Sequence, residues 1–312
     1  MIGTVADALT WAFDELSRAF GKLRPGRFDE LSRAFGKLRP GHFHQLSGES
    51  GHADVEWLLM GVLGATRAQL KAHAARRLSS EEQRAFESHL RRYASGEPLA
   101  YITGHQPFWK LDLAVDPRVL IPRPETELLV ETVIELGQSL DAHVLDLGTG
   151  CGAIALSLAL ERPDWRLLAS DVSADALAVA VQNSRELAAA HTMAQVEFRC
   201  SDWFSDIEER FDFIVANPPY VALDDPLYEG SGFEPNEALF AGYSGLEALR
   251  MIIGEAPRRL RGGGYLLVEH GNLQAASVRE LMCDAGLDRL ESRRDLAGHD
   301  RITLGQRQRG LT

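Results

Sequence analysis

The segment VLDLGTGCGAIALSLA, residues 144–159, decides the fold. It places a short apolar strand, then a turn with glycines at 148, 150 and 152, then an apolar helix. That order opens a βαβ unit, and the glycines let the backbone pass close to a ligand at the carboxyl edge of a parallel sheet. Outward from this point, apolar runs and helical segments keep alternating, with strands expected at His143–Leu147, Arg166–Asp171, 195–199, Phe211–Ala216, 264–269, 287–293 and 301–304. Seven strands with helices between them predict an α/β protein with a doubly wound, Rossmann-like sheet.

Upstream the pattern changes. Val55, Leu58, Leu59 and Val62 recur at the spacing of one helix face, as do Phe86, Leu90 and Tyr93. Ser79 and Ser80 ahead of Glu81 and Glu82 read as a helix N-cap. In FWKLDLAVDPRVLIPRP, residues 108–124, the helical period gives way to alternation with β-branched and aromatic residues, which predicts a β-hairpin. The expected division is an N-terminal extension over 1–50, a helical domain over 51–96, a hairpin linker over 97–124 and the sheet domain over 125–312. The extension holds an exact tandem copy of FDELSRAFGKLRPG, at 13–26 and again at 28–41. Its period is shorter than that of solenoid repeats, and its perfect identity marks a recent duplication, so loose packing is expected there.

Composition narrows the function. Hydrophobic residues at 45% and charged residues at 25% suit a folded globular chain. The absence of a long apolar run and of a leader-like start predicts a cytoplasmic protein without a membrane partner. The three cysteines lack metal-ligand spacing, so no metal is expected. A net charge of -12 repels phosphate backbones and counts against a nucleic-acid substrate.

The turn Gly148, Thr149, Gly150, Cys151, Gly152 is the candidate cofactor loop. Asp171 ends the next strand about twenty residues on, where a carboxylate takes the ribose hydroxyls of a bound adenosine. Ser201, Asp202 and Trp203, after the third strand, offer a carboxylate for an adenine amino group and an aromatic face for its ring. A glycine turn alone is also compatible with nicotinamide or flavin, and Gly148, Gly150 and Ala153 mimic the dinucleotide pattern, so an oxidoreductase stays open on these residues. The fourth strand, FDFIVA, runs into Asn217, Pro218, Pro219 and Tyr220. An amide nitrogen is a poor nucleophile because its lone pair is delocalised. Acceptors from the Asn217 side chain and the Pro218 carbonyl would hold a planar NH2 group, two prolines would keep them rigid, and Tyr220 would stack on the amide. Adenine N6 presents a similar NH2, so an adenine-N6 nucleic-acid methyltransferase is the alternative from these residues. Among other residues, Arg123 and Glu125 suit an ion pair or a place by the cofactor, while Glu269 and His270 fit structural roles better than acid–base chemistry.

The stretches GEPLAYITGHQPFW, LIPRPETELLVE, DLGTGCGAIAL, SDWF, NPPY, GFEPNEALFAG and LLVEHG together resemble the release factor glutamine methyltransferase family, also called the HemK family, over residues 53–306. The resemblance implies a class I methyltransferase sheet whose last strand is antiparallel, with S-adenosyl-L-methionine as cofactor. It implies contacts from Gly148 to Gly152, Asp171, Trp203 and Asn217 to that cofactor. Asn217, Pro218, Pro219 and Tyr220 would hold a glutamine from the Gly-Gly-Gln motif of peptide-chain release factors, docked with help from the helical domain and linker. A ribosomal-protein glutamine methyltransferase is the near alternative, and the PRPETE linker favours the release factor branch. The segment DDPLYEGSGFEP, 224–235, departs from the family's usual stretch after the NPPY motif.

Overall fold

A computed structural model describes residues 3–20, 49–137, 141–223 and 232–309. The chain forms two compact units, residues 1–104 with 229–233, and residues 105–228 with 234–312.

The first unit is helical: α1 (Val5–Phe20), α2 (Glu49–Leu63), α3 (Arg67–Ala72), α4 (Ser80–Ala94) and α5 (Leu99–Thr103). Its core gathers Val55, Leu58 and Leu59 of α2 against Phe86, Leu90 and Tyr93 of α4. Ser79 caps α4 reciprocally, its hydroxyl accepting from Glu82 N while the Glu82 carboxylate accepts from Ser79 N. Two expectations need correction here. The extension was expected to pack loosely, yet Val5, Ala8 and Ala12 of α1 are buried in this core. Their i, i+3, i+7 spacing is short, and Ala carries little hydrophobic weight, so the stripe is faint in the sequence. The repeat beyond Phe20, including the whole second copy, lies outside the described residues. The hairpin was expected to begin near residue 97, but 99–103 form α5, which buries Ala100, Tyr101 and Ile102 and ends at Gly104.

The second unit opens with the antiparallel hairpin β1 (His105–Phe108) and β2 (Leu111–Ala114). It continues through α6 (Glu127–Leu136), β3 (His143–Leu147), α7 (Ala153–Glu161), β4 (Arg166–Asp171), α8 (Ala174–Ala190), β5 (Val196–Cys200) and β6 (Phe211–Ala216). It ends with α9 (Glu247–Arg259), β7 (Leu260–Glu269), α10 (Ala275–Asp284), β8 (Leu287–Arg294) and β9 (Asp300–Arg307). The seven-stranded sheet has the order β5-β4-β3-β6-β7-β9-β8, parallel except for β9, which runs antiparallel to both neighbours.

The central strands are largely apolar because both faces are covered: Val144, Leu145 and Leu147 of β3, and Phe213 to Ala216 of β6, are fully buried. The chain winds outward from β3 to β5 and then returns to β6 on the other side of β3. Helices therefore leave this point in opposite directions and open a crevice at the carboxyl ends of β3 and β6. At Gly152, which begins α7 with φ +89°, a Cβ would lie 2.8 Å from Leu156 Cδ1, so the turn needs glycine both for its backbone angle and for its packing.

Candidate active site

A cavity of about 200 Å³ lies in this crevice. Each of four successive parallel strands delivers residues to it from its carboxyl end: Gly148 and Gly150 after β3, Ser170 and Asp171 of β4, Ser201, Asp202 and Trp203 after β5, and Asn217, Pro218 and Pro219 after β6. Parallel strands place all their carboxyl ends on one edge, which is why residues spread over 72 positions converge.

Asp171 holds the floor together. Its Oδ2 accepts from Gly150 N at 2.9 Å and its Oδ1 from Ser173 N at 2.9 Å, while Ser173 in turn caps α8 through Ala176 N. Each carboxylate oxygen keeps a lone pair for a ligand hydroxyl. Burial pushes this carboxyl above the usual carboxylate range, and nearby Glu237 adds to the effect. At Gly150, φ is +56° and an added Cβ would meet nothing within 4 Å, so the backbone there stands open. Trp203 is held at φ +47°, a conformation rare for a residue with a side chain. Ser201 locks that turn, accepting from Asp206 N at 3.1 Å and donating to Trp203 O at 2.9 Å, and brings the indole within 3.7 Å of a Cβ built on Gly148. The strained backbone thus brings the indole against the glycine turn.

Not every expected residue faces the cavity. Thr149 turns inward and donates to buried Asp146 at 2.7 Å. Cys151 is buried, its thiol pushed up to about 12 by desolvation, and its carbonyl accepts from Asn183 Nδ2 at 2.9 Å. Gly152 faces Leu156 and Ala180. These three shape the loop from behind. Tyr220 was expected to stack on a substrate amide, but its ring packs on the core and its hydroxyl donates to Glu269 Oε1 at 3.2 Å. A half-buried phenol needs a partner for its O–H, and Glu269 is an acceptor within reach.

Asn217 lines the cavity with its amide oriented: Nδ2 donates to Thr126 Oγ1 at 3.1 Å, and Thr126 Oγ1 donates to Glu269 Oε2 at 2.7 Å. Beyond Tyr220, Val221 is tied by backbone hydrogen bonds to Leu239 and Ala241, and Gln274 Nε2 donates to Tyr220 O at 3.1 Å. The acceptors at the tip of β6 therefore stand on a braced segment.

Sequence reasoning missed much of the remaining wall, formed by Arg118, Val119 and Leu120 before α6 and by Pro235, Glu237 and Ala238 after the segment that follows β6. The quoted stretches LIPRPETELLVE and GFEPNEALFAG pointed to both regions without saying that they meet. Arg123 joins them. It donates to Glu234 at 2.9 and 2.7 Å, and Glu234 Oε1 also accepts from Ile121 N at 3.2 Å. Glu234 is 9% exposed, so Arg123→Met leaves a buried carboxylate without its cation. The pair is wet on the arginine side, and the expected loss is about 2 kcal/mol, read as a fall of about 4 to 8 °C in the melting midpoint. An unchanged melt refutes the brace. His270 is buried in a separate chain: its Nδ1 donates to Gly271 O at 2.9 Å and its Nε2 faces Thr303 Oγ1 at 2.8 Å.

The walls fit a cationic adenosyl cofactor. Asp171, Asp202 and Glu237 make the cavity acidic, Arg118 is paired with Asp116 at 2.6 Å, and the carboxylate with spare lone pairs stands beside the open glycine backbone.

Two family models match the chain, the Methyltransferase small domain over residues 124–226 and the PrmC N-terminal domain over residues 43–104. The chain is 48% identical over 260 residues to the release factor glutamine methyltransferase of Pseudomonas aeruginosa, covering 82% of this chain and 93% of that one. It is 41% identical over 261 residues to the release factor glutamine methyltransferase of Escherichia coli, covering 83% and 93%. Among solved structures, the hMettl16 catalytic domain in complex with MAT2A 3'UTR hairpin 6 matches with a TM-score of 0.50 at 19% identity, covering 64% of this chain and 77% of that one, which shows a shared fold.

Proposed function

The chain belongs to the release factor glutamine methyltransferase family and is an S-adenosylmethionine-dependent enzyme of the protein-glutamine N-methyltransferase class, and on that premise we propose that it methylates the side-chain amide nitrogen of the glutamine in the Gly-Gly-Gln motif of peptide-chain release factors. The observation that carries this reading is the oriented Asn217 amide at the cavity wall. With Nδ2 turned toward Thr126, Oδ1 stands at the opposite end of the amide and offers an acceptor, which is what a target NH2 requires.

Bound S-adenosylmethionine supplies an electrophilic methyl on a positively charged sulfur. The protein's own work is binding and aiming. Asp171 would accept the ribose hydroxyls, Asp202 and Trp203 would hold the adenine, and the glycine turn would accommodate the remainder of the cofactor. Asn217 Oδ1 and the Pro218 carbonyl accept the two amide hydrogens of the target glutamine, which turns its nitrogen toward the methyl. Transfer would break the methyl's bond to sulfur, leaving a neutral thioether, as its bond to nitrogen forms; the nitrogen would become acidic and release one proton to solvent, so no strong base is needed. Partial positive charge on that nitrogen is what the two acceptors stabilise.

Mixing the protein with labelled S-adenosylmethionine and a purified release factor, followed by mass spectrometry of the Gly-Gly-Gln loop, is expected to show one methyl group on the glutamine. A ribosomal protein or adenine-containing nucleic acid labelled in place of the release factor would overturn the reading.

A further inference from the structure

We propose that Glu269 and Thr126 are positioning residues that set which end of the Asn217 amide faces the substrate, through a one-way chain of hydrogen bonds. This rests on the methyl-transfer reading above and assigns two residues to it that touch neither substrate nor cofactor.

The chain runs from Asn217 Nδ2 to Thr126 Oγ1, 3.1 Å, and from Thr126 Oγ1 to Glu269 Oε2, 2.7 Å. Thr126 is 3% exposed and Glu269 1% exposed, so water does not offer them alternative partners. An ionised carboxylate only accepts, and a hydroxyl has one hydrogen. Once Thr126 spends that hydrogen on Glu269, it can only accept from Asn217. Asn217 must then present Nδ2 inward and Oδ1 outward. The two ends of an amide have nearly the same shape, so packing alone does not choose between them; the hydrogen-bond network does. A reversed amide would point N–H groups at the substrate NH2 and lose the acceptor that the reaction needs.

The setting keeps the chain directional. Glu269 ends β7 opposite Ile302 of β9, one residue past Val268, the ladder partner of Ala216, and its second oxygen, Oε1, accepts from Tyr220 at 3.2 Å. The charged and titratable groups around it are Arg301 on β9, itself paired with Asp295 at 3.2 Å, Glu125 next to Thr126, and Tyr220, with Arg123 acting on Tyr220. Burial outweighs the attraction of Arg301 and raises the Glu269 carboxyl to about 7. Below that pH the carboxyl is protonated and can donate to Thr126, which frees the Thr126 hydrogen to turn toward Asn217 and favours the reversed amide. The active polarity therefore belongs to the ionised form, and kcat should rise with pH through about 7.

The test compares full-length wild type with Thr126→Val, Thr126→Ser and Glu269→Gln, using a release factor and saturating S-adenosylmethionine, with S-adenosylhomocysteine binding and thermal melts alongside. Thr126→Val should lower kcat about 10- to 100-fold, the scale for misaligned reacting groups, with KM and S-adenosylhomocysteine affinity nearly unchanged. Thr126→Ser, which restores the hydroxyl, should bring kcat back to within about threefold of wild type. Glu269→Gln should lower kcat and abolish its acid limb, because nothing is left to titrate there. If Thr126→Val binds S-adenosylhomocysteine normally and retains wild-type kcat, or if Glu269→Gln keeps the acid limb, the assignment is wrong. Should Glu269→Gln fail to fold, Thr126→Val against Thr126→Ser decides alone, since a purely structural role would change melts and spare kcat. Failure of wild type itself to methylate a release factor refutes the functional reading, and the positioning role with it; normal wild-type activity with unaffected variants refutes only the positioning role.

Discussion

Asn217→Ala is expected to lower kcat on the order of 10³-fold, the upper range for removing one preorganised polar group from a transition state, while S-adenosylhomocysteine still binds and the protein still folds. The loss is large because the side-chain oxygen does two things at once. It positions the target nitrogen, and it accepts from an N–H whose acidity grows as the new bond forms, so its contribution increases toward the transition state. The fold should survive because residue 217 lies just past the paired part of β6, whose last ladder partners are Ala216 with Leu147 and with Val268. Pro218 and Pro219 continue to fix the backbone, and Thr126 keeps its bond to Glu269. Melting and ligand binding separate the two effects. Methyl transfer above a tenth of the wild-type rate, in a variant that binds S-adenosylhomocysteine, would remove Asn217 from the chemistry.

Asp171→Ala is expected to weaken S-adenosylhomocysteine binding about 100-fold or more, since each hydrogen bond from a ligand to a charged acceptor contributes about 1.5 to 3 kcal/mol. The substitution also removes the acceptor for Gly150 N and Ser173 N, so the glycine turn and the start of α8 lose a shared tie. Asp171→Asn separates these roles: it retains one acceptor oxygen and should bind better than the alanine variant. The same carboxyl gives affinity a pH dependence. Burial raises it above the usual carboxylate range, and protonation removes one of its acceptor sites, so affinity should be full above the raised value and fall as pH drops through it. Isothermal titration over a pH series measures this, and affinity that stays flat in wild type, or equal in the alanine variant, would show that Asp171 is only a structural tie.

Some of these features lie within a few residues of one another, and the sequence alone was enough for them. The run from Val144 through Gly152 into α7 fixes strand, turn and helix because backbone angles and apolar periodicity are local properties. The Ser79 cap was equally plain, as its partner Glu82 is three residues away. The NPPY stretch after β6 pointed to the cavity edge for the same reason, since Asn217, Pro218 and Pro219 line it. It did not tell where Tyr220 points, because that depends on Glu269, 49 residues on. Nor did the faint alanine stripe of α1 reveal a helix that fills a core.

Tertiary structure alone decided who pairs with whom. Arg123 finds Glu234 across 111 residues, Asn217 finds Thr126 across 91, and Thr126 finds Glu269 across 143. Residue types along the chain state what each group can donate or accept; strand order determines which groups come within 3 Å. Only when β3, β6 and β7 lie side by side does an ordinary threonine ahead of α6 become the partner that orients an amide, since hydrogen bonds are short and directional while chain separation is not felt by them at all.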